Sequence, residues 1–146
     1  PYEEVAFYLQ KLDNPDQTVG AGMLGKLPEP LPATEFLSLL ADSMQLKVIR
    51  HTALVAQTVS KVAVCGGSGS FLLGKAMAAG AQAFVTADFK YHQFFDAEDR
   101  LIIADIGHYE SEAFTTDLLA QWLEQNFKVP VLRTGVNTNP VKYFCK

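Results

Sequence analysis

The sequence predicts an α/β fold, a mixed, mainly parallel sheet flanked by helices. Three observations carry this expectation. From residue 59 onward, short apolar runs alternate with segments of helical periodicity in the order strand, helix, strand, helix, strand, helix, strand, which is how crossover connections read in sequence. Two of the runs, Val59 to Cys65 with its Val-Ala-Val-Cys core and Leu101 to Ile106, carry continuous apolar stretches, as strands covered on both faces must. Glycines at 66–67, 80 and 107 punctuate the junctions, where chain reversals and helix ends favour a residue without a Cβ.

Taken in order, Glu4 to Leu12 is rich in β-branched and aromatic residues and reads as a strand. Asp13-Asn14-Pro15-Asp16 is a turn, and Thr18 to Leu27 reads either as a glycine-interrupted strand or as a glycine-rich loop. Pro28-Glu29-Pro30-Leu31-Pro32 is an extended connector. A helix follows, with Thr34 as its expected N-cap and Phe36, Leu37, Leu39, Leu40 and Met44 as its apolar face. Leu46 to Thr52 is a short strand, Val59 to Cys65 a stronger one, and Phe71 to Ala79 a helix stopped by Gly80. Then come a strand at 83–86, a short helix at 88–96, a buried strand at 101–106 and a long helix from Tyr109 to Phe127. Val129 to Arg133 and Val141 to Phe144 are expected to finish as strands.

The 146 residues, 49% of them hydrophobic, suffice for one domain with a real core. The division expected is residues 1–14 as a remnant or edge of a preceding inserted domain and residues 15–146 as the α/β domain that carries the site. A net charge of −4 without any Lys/Arg cluster argues against direct nucleic-acid binding. The two cysteines, Cys65 and Cys145, have neither zinc-ligand spacing nor the pattern of a disulfide framework. No apolar run approaches the length of a membrane span, and a cytoplasmic location is expected.

Chemistry concentrates at Gly107-His108-Tyr109-Glu110-Ser111-Glu112, where a buried strand turns directly into a helix. In open α/β sheets, sites lie at the carboxyl ends of strands. His108 and Glu112 are separated by one helical turn and face the same way, and imidazole with carboxylate at that spacing suits one metal ion. The same residues read equally as a hydrogen-bonded histidine and an acid favoured by the helix dipole. At roughly 100° per residue, His108 and Glu112 are in phase with Leu119 and Leu123, whereas Glu110 is in phase with Asp117, Gln121 and Glu124 on a solvated face. Asp88 and His92, after the preceding strand, emerge on the same sheet edge, with Asp88 also readable as a helix N-cap. His92 is the candidate for proton transfer or substrate contact. The Gly66 to Ser70 loop, between a strand and a helix, reads as a structural tight turn or as a cradle for an anion, although it fits neither GxGxxG nor a P-loop, since Leu72 and Ala76 stand where a glycine and a hydroxyl belong.

Five motifs occur in order along the chain: Pro1-Tyr2-Glu3-Glu4-Val5-Ala6, Val64-Cys65-Gly66-Gly67-Ser68-Gly69-Ser70, Asp88-x-Lys90-Tyr91-His92, Asp96-Ala97 and Gly107-His108-Tyr109-x-Ser111-Glu112. Together they resemble the C-terminal portion of the Ngg-interacting-factor-three-like proteins, the type-two GTP cyclohydrolase I homologues. The resemblance implies an α/β protein assembled as a ring-like homo-oligomer, a hexamer, with two divalent metal ions per subunit. Zinc, manganese or iron would suit such ligands. It implies His108 and Glu112 as metal ligands, the remaining ligands lying in an early His pair and an acid upstream of Pro1. The function expected is a metal-dependent, hydrolase-like protein of which this chain holds half the dinuclear site, acting on a small-molecule substrate. A non-enzymatic metal-binding regulatory or interaction module is the alternative.

Overall fold

The computed structural model describes residues 20–144. The expected strand at residues 4–12, the 1–14 segment and Cys145 lie outside the described residues. Five strands form one sheet in the order β1-β3-β4-β5-β2. Its centre is parallel: β3 (Thr58–Ser68) pairs with β4 (Ala83–Ala87), and β4 with β5 (Ile102–Asp105). Both edges are antiparallel, β1 (Met23–Pro32) on β3 and β2 (Arg50–His51) on β5. The expected mixed sheet flanked by helices is therefore present, with two parallel pairings at its centre and two antiparallel pairings at its edges.

The central strands form as the sequence dictates. Every residue of β4 and β5 is buried, so neither could carry the polar alternation of a half-solvated strand. Two clusters fill the faces. Phe84, Phe89, Leu101 and Ile103 pack with α2 (Leu73–Ala78) on one side, and Val59, Val85, Ile102, Ala104 and Ile106 pack with α1 (Ala33–Met44) on the other. Gly80, at φ +72°, ends the α2 segment, and Gly80 N donates to Met77 O at 2.9 Å. No helix among the described residues is long and apolar enough to cross a membrane.

Several expectations are corrected. The proline-rich stretch 28–32 is part of β1, with a register shift between Lys26 and Leu31. An edge strand tolerates proline because half of its amides need no sheet partner. Thr34 is not the N-cap of α1: Pro32 holds that position, and the Thr34 carbonyl instead accepts from Ser38 Oγ at 3.1 Å. The strand expected over 46–52 shrinks to two residues. Val64, within the run expected to be buried on both faces, is 42% exposed.

The long helix expected from 109 to 127 is two helices, α3 (His108–Glu112) and α4 (Thr115–Asn126). The phase argument that linked Glu112 to Leu119 and Leu123 does not survive that break, and both leucines are exposed. The strands expected at 129–133 and 141–144 are irregular chain. Leu132 and Phe144 are more than nine-tenths exposed, and Arg133 is held by Asp117 at 3.1 Å and Glu124 at 3.6 Å on α4 instead of by a strand neighbour.

Candidate functional site

The carboxyl ends of β4 and β5 bring Asp88 and His108 together. Both are reached through unusual backbone: Asp88 has φ +60° and Gly107 has φ +89°. The left-handed conformation is tolerated by a short acid and suits glycine, so the chain can turn sharply after each strand. His108 then opens α3, and its Nδ1 lies 2.6 Å from Asp88 Oδ2. One turn later, Glu112 Oε2 lies 3.4 Å from His108 Nε2. All three side chains are about half exposed, so this is an open surface and not a sealed core cluster. The hydrogen bond to Asp88, opposed by some desolvation and reinforced by the two carboxylate charges, holds the imidazole pKa above the ordinary histidine value.

β3 completes the wall. Its register is interrupted between Val64 and Ser68, and the chain there presses against α3: Gly67 N donates to Ser111 Oγ at 2.8 Å, while Thr86 Oγ1 donates to Gly67 O at 3.1 Å. A Cβ on Gly67 would lie 2.5 Å from Glu112 Oε1 and 3.3 Å from His108 Cε1. The glycine loop therefore serves the His108–Glu112 pair. Its Gly67 amide is already taken and a carboxylate lies against it, an arrangement unsuited to cradling a phosphate.

The donor set fits a divalent ion as part of a site. Two ligands at about 2.1 Å in tetrahedral coordination stand roughly 3.4 Å apart, the separation of His108 Nε2 and Glu112 Oε2. Asp88 supplies the carboxylate–histidine partnership that fixes a ligand's tautomer and leaves Nε2 bare. Among the described residues no group of three or more His, Cys, Asp or Glu side chains converges as a complete site. The chain thus brings together one imidazole nitrogen and one carboxylate, with Asp88 orienting the imidazole.

The other sequence candidates fall elsewhere. His92 sits on an exposed 3₁₀ turn, Tyr91–Ala97. It borders neither cavity that His108 lines, and among the described residues no hydrogen bond or ion pair joins it to His108 or Glu112. Asp88 does not cap that turn, which begins after Lys90. Glu110 is not simply solvated. Its Oε1 accepts from Tyr143 OH at 3.3 Å and Asn139 Nδ2 at 3.4 Å, which docks the C-terminal segment on α3. Burial and the neighbouring Glu110 push the Tyr143 phenol pKa up. Burial, then the charge of Glu112, also raises the Cys65 thiol pKa, so that thiol is no activated nucleophile. Asp105, buried at the end of β5, went unrecognised in sequence, although a charge closing an apolar run signals a buried pairing.

Fold and site together define a mixed α/β protein with an oriented His-x-x-x-Glu pair at the carboxyl edge of parallel strands. The chain belongs to the Duf34/NIF3 (NGG1p interacting factor 3) family, whose pattern matches residues 4–140. It is 32% identical over 148 residues to a GTP cyclohydrolase 1 type 2 homolog of Staphylococcus epidermidis, covering 98% of this chain and 40% of that protein. To the GTP cyclohydrolase 1 type 2 homolog of Mycobacterium tuberculosis it is 34% identical, covering 96% of this chain and 38% of the relative. The crystal structure of a Bacillus cereus protein related to NIF3 superposes with a TM-score of 0.73 at 28% identity, over 86% of this chain and 36% of that one. The chain therefore spans well under half the length of these relatives.

Proposed function

We propose that this chain forms one wall of a dinuclear divalent-metal centre in a metal-dependent, hydrolase-like protein akin to the type-two GTP cyclohydrolase homologues. His108, through Nε2, and Glu112 are the ligands. The observation that carries the reading is the 2.6 Å contact between Asp88 and His108 Nδ1, which spends one ring nitrogen on a carboxylate and leaves the other free toward Glu112. Two divalent ions, whether zinc, manganese or iron, would supply Lewis acidity and lower the pKa of a water at neutral pH. Asp88 keeps the imidazole in one tautomer, Gly67 lets the backbone close against both ligands, and Ser111 pins that backbone to α3. His92, exposed on the neighbouring 3₁₀ turn, is assigned proton transfer or substrate contact from its place after β4. The remaining ligands belong to the portion of the relatives that this chain does not span, and assembly is as a ring-like hexamer. The buried free thiol of Cys65 suits a reducing compartment such as the cytoplasm.

The test is turnover by a protein of the relatives' full length. Hydrolysis of small-molecule amides and phosphoesters should disappear on chelation and in His108→Ala. Absence of turnover in fully loaded protein, together with capture of a partner only when metal is present, would replace the hydrolase reading with that of a regulatory module.

A further inference from the structure

One buried carboxylate links both halves of the Asp88–His108 contact. Asp105 is the last residue of β5, and its side chain is 3% exposed. Its Oδ2 accepts from Phe89 N at 2.9 Å, the amide directly after Asp88. Its Oδ1 accepts from Gly107 N at 3.1 Å, the amide directly before His108. Arg50, reaching across from β2, forms an ion pair with Asp105 Oδ2, and its Nη2 also donates to Phe89 O at 2.9 Å. Both polar backbone groups of Phe89 are thereby tied to one ion pair whose acid is buried, while its ring is buried among Phe84 and Phe94.

We infer that Asp105, with Arg50 behind it, is a positioning residue that sets the spacing of Asp88 and His108 and so fixes which imidazole nitrogen is left free for a ligand role. The inference rests on the metal-centre reading for its purpose, but its geometry stands without a metal. Asp88 and Gly107 both occupy positive-φ backbone, and such turns persist only when neighbouring contacts hold them. Asp105 supplies a charge-assisted hydrogen bond to each turn from a single rigid strand end. A carboxylate with two oxygens can span both amides at full acceptor strength. An amide side chain cannot, because its nitrogen would face a backbone N–H donor.

The experiment is ¹⁵N NMR of the imidazoles in the metal-free whole chain, with the imidazole neutral and His108 assigned by substitution. The parent should show His108 as the Nδ1–H tautomer. Asp105→Asn, confirmed as folded by its circular dichroism, should shift His108 toward the Nε2–H tautomer, and Asp105→Glu should restore part of the parent signal. Arg50→Ala, at a side chain more than half exposed, should produce a smaller shift in the same direction and serves as the reading if Asp105→Asn does not fold. A folded Asp105→Asn chain with the parent tautomer overturns the inference. So does an unchanged tautomer in Arg50→Ala where Asp105→Asn is unfolded. Titration of Zn²⁺ into protein of the relatives' full length separates the two levels: a correct tautomer response without any His108 perturbation by Zn²⁺ would sink the metal reading and leave the positioning role standing.

Discussion

Replacing Gly67 by alanine tests how the wall of the site is built. Gly67 has φ +62°, where a residue with a Cβ costs about 1–2 kcal/mol. The new methyl would also start 2.5 Å from Glu112 Oε1, against an ordinary contact of 3.4 Å or more, so the carboxylate must retreat by about 0.9 Å. Glu112 is half exposed and yields at little steric cost, so backbone strain dominates the stability loss. For a chain of this size, about 1–2 kcal/mol lowers Tm by roughly 3–8 °C. The displaced carboxylate should weaken divalent-metal binding about 10–100-fold, as disturbed ligand surroundings commonly do. The assay pairs thermal unfolding of the metal-free chain with calorimetric metal titration of full-length protein. Gly74→Ala is the control: it lies in α2 with nothing within 4 Å of the new methyl and should stabilise by about 0.5–1 kcal/mol. An unchanged Tm and unchanged metal affinity for Gly67→Ala would refute the close approach of β3 to His108 and Glu112.

Asp88→Asn should lower the His108 pKa, read from its imidazole proton shifts. The sign follows from the raised folded-state pKa: the Asp88 contact contributes stability fully below the unfolded value near 6.5 and loses it as pH rises through the folded value. The parent should therefore lose stability over that interval relative to Asp88→Asn, and parallel pH–stability curves would contradict the contact. Glu110→Gln and Glu112→Gln should part company. The first should lower the Tyr143 phenol pKa in an absorbance titration while leaving metal affinity nearly intact, and the second should do the reverse. Ile103→Ala, at a fully buried position of β5, should cost about 2–5 kcal/mol in denaturant unfolding. A loss below 1 kcal/mol would mean that the α2 face of the sheet is not packed as described.

The parallel centre was legible because burial on both faces leaves only apolar residues to choose from. Val59, Phe84, Ile102 and Ile103 announce it without reference to any partner. The edges were not, since β2 is fixed by two residues that pair with Ala104 and Asp105, and β1 contains three prolines that local rules assign to a connector. His108 and Glu112 were legible through their one-turn spacing, which needs only the single short helix α3. Extending the phase to Leu119 failed because the helix is interrupted at residues 113–114, where no glycine or proline marks the break. The roles of Gly67, Glu110 and Asp105 arise from contacts 44, 33 and 16 residues away in sequence, which no local pattern encodes.

Metal analysis after exhaustive dialysis decides whether this chain supplies half of a metal centre. Protein of the relatives' full length should retain two divalent ions per subunit and lose them in His108→Ala, while the 146-residue chain alone should hold no stoichiometric metal. Full metal retention by the His108→Ala protein would contradict a ligand role for His108.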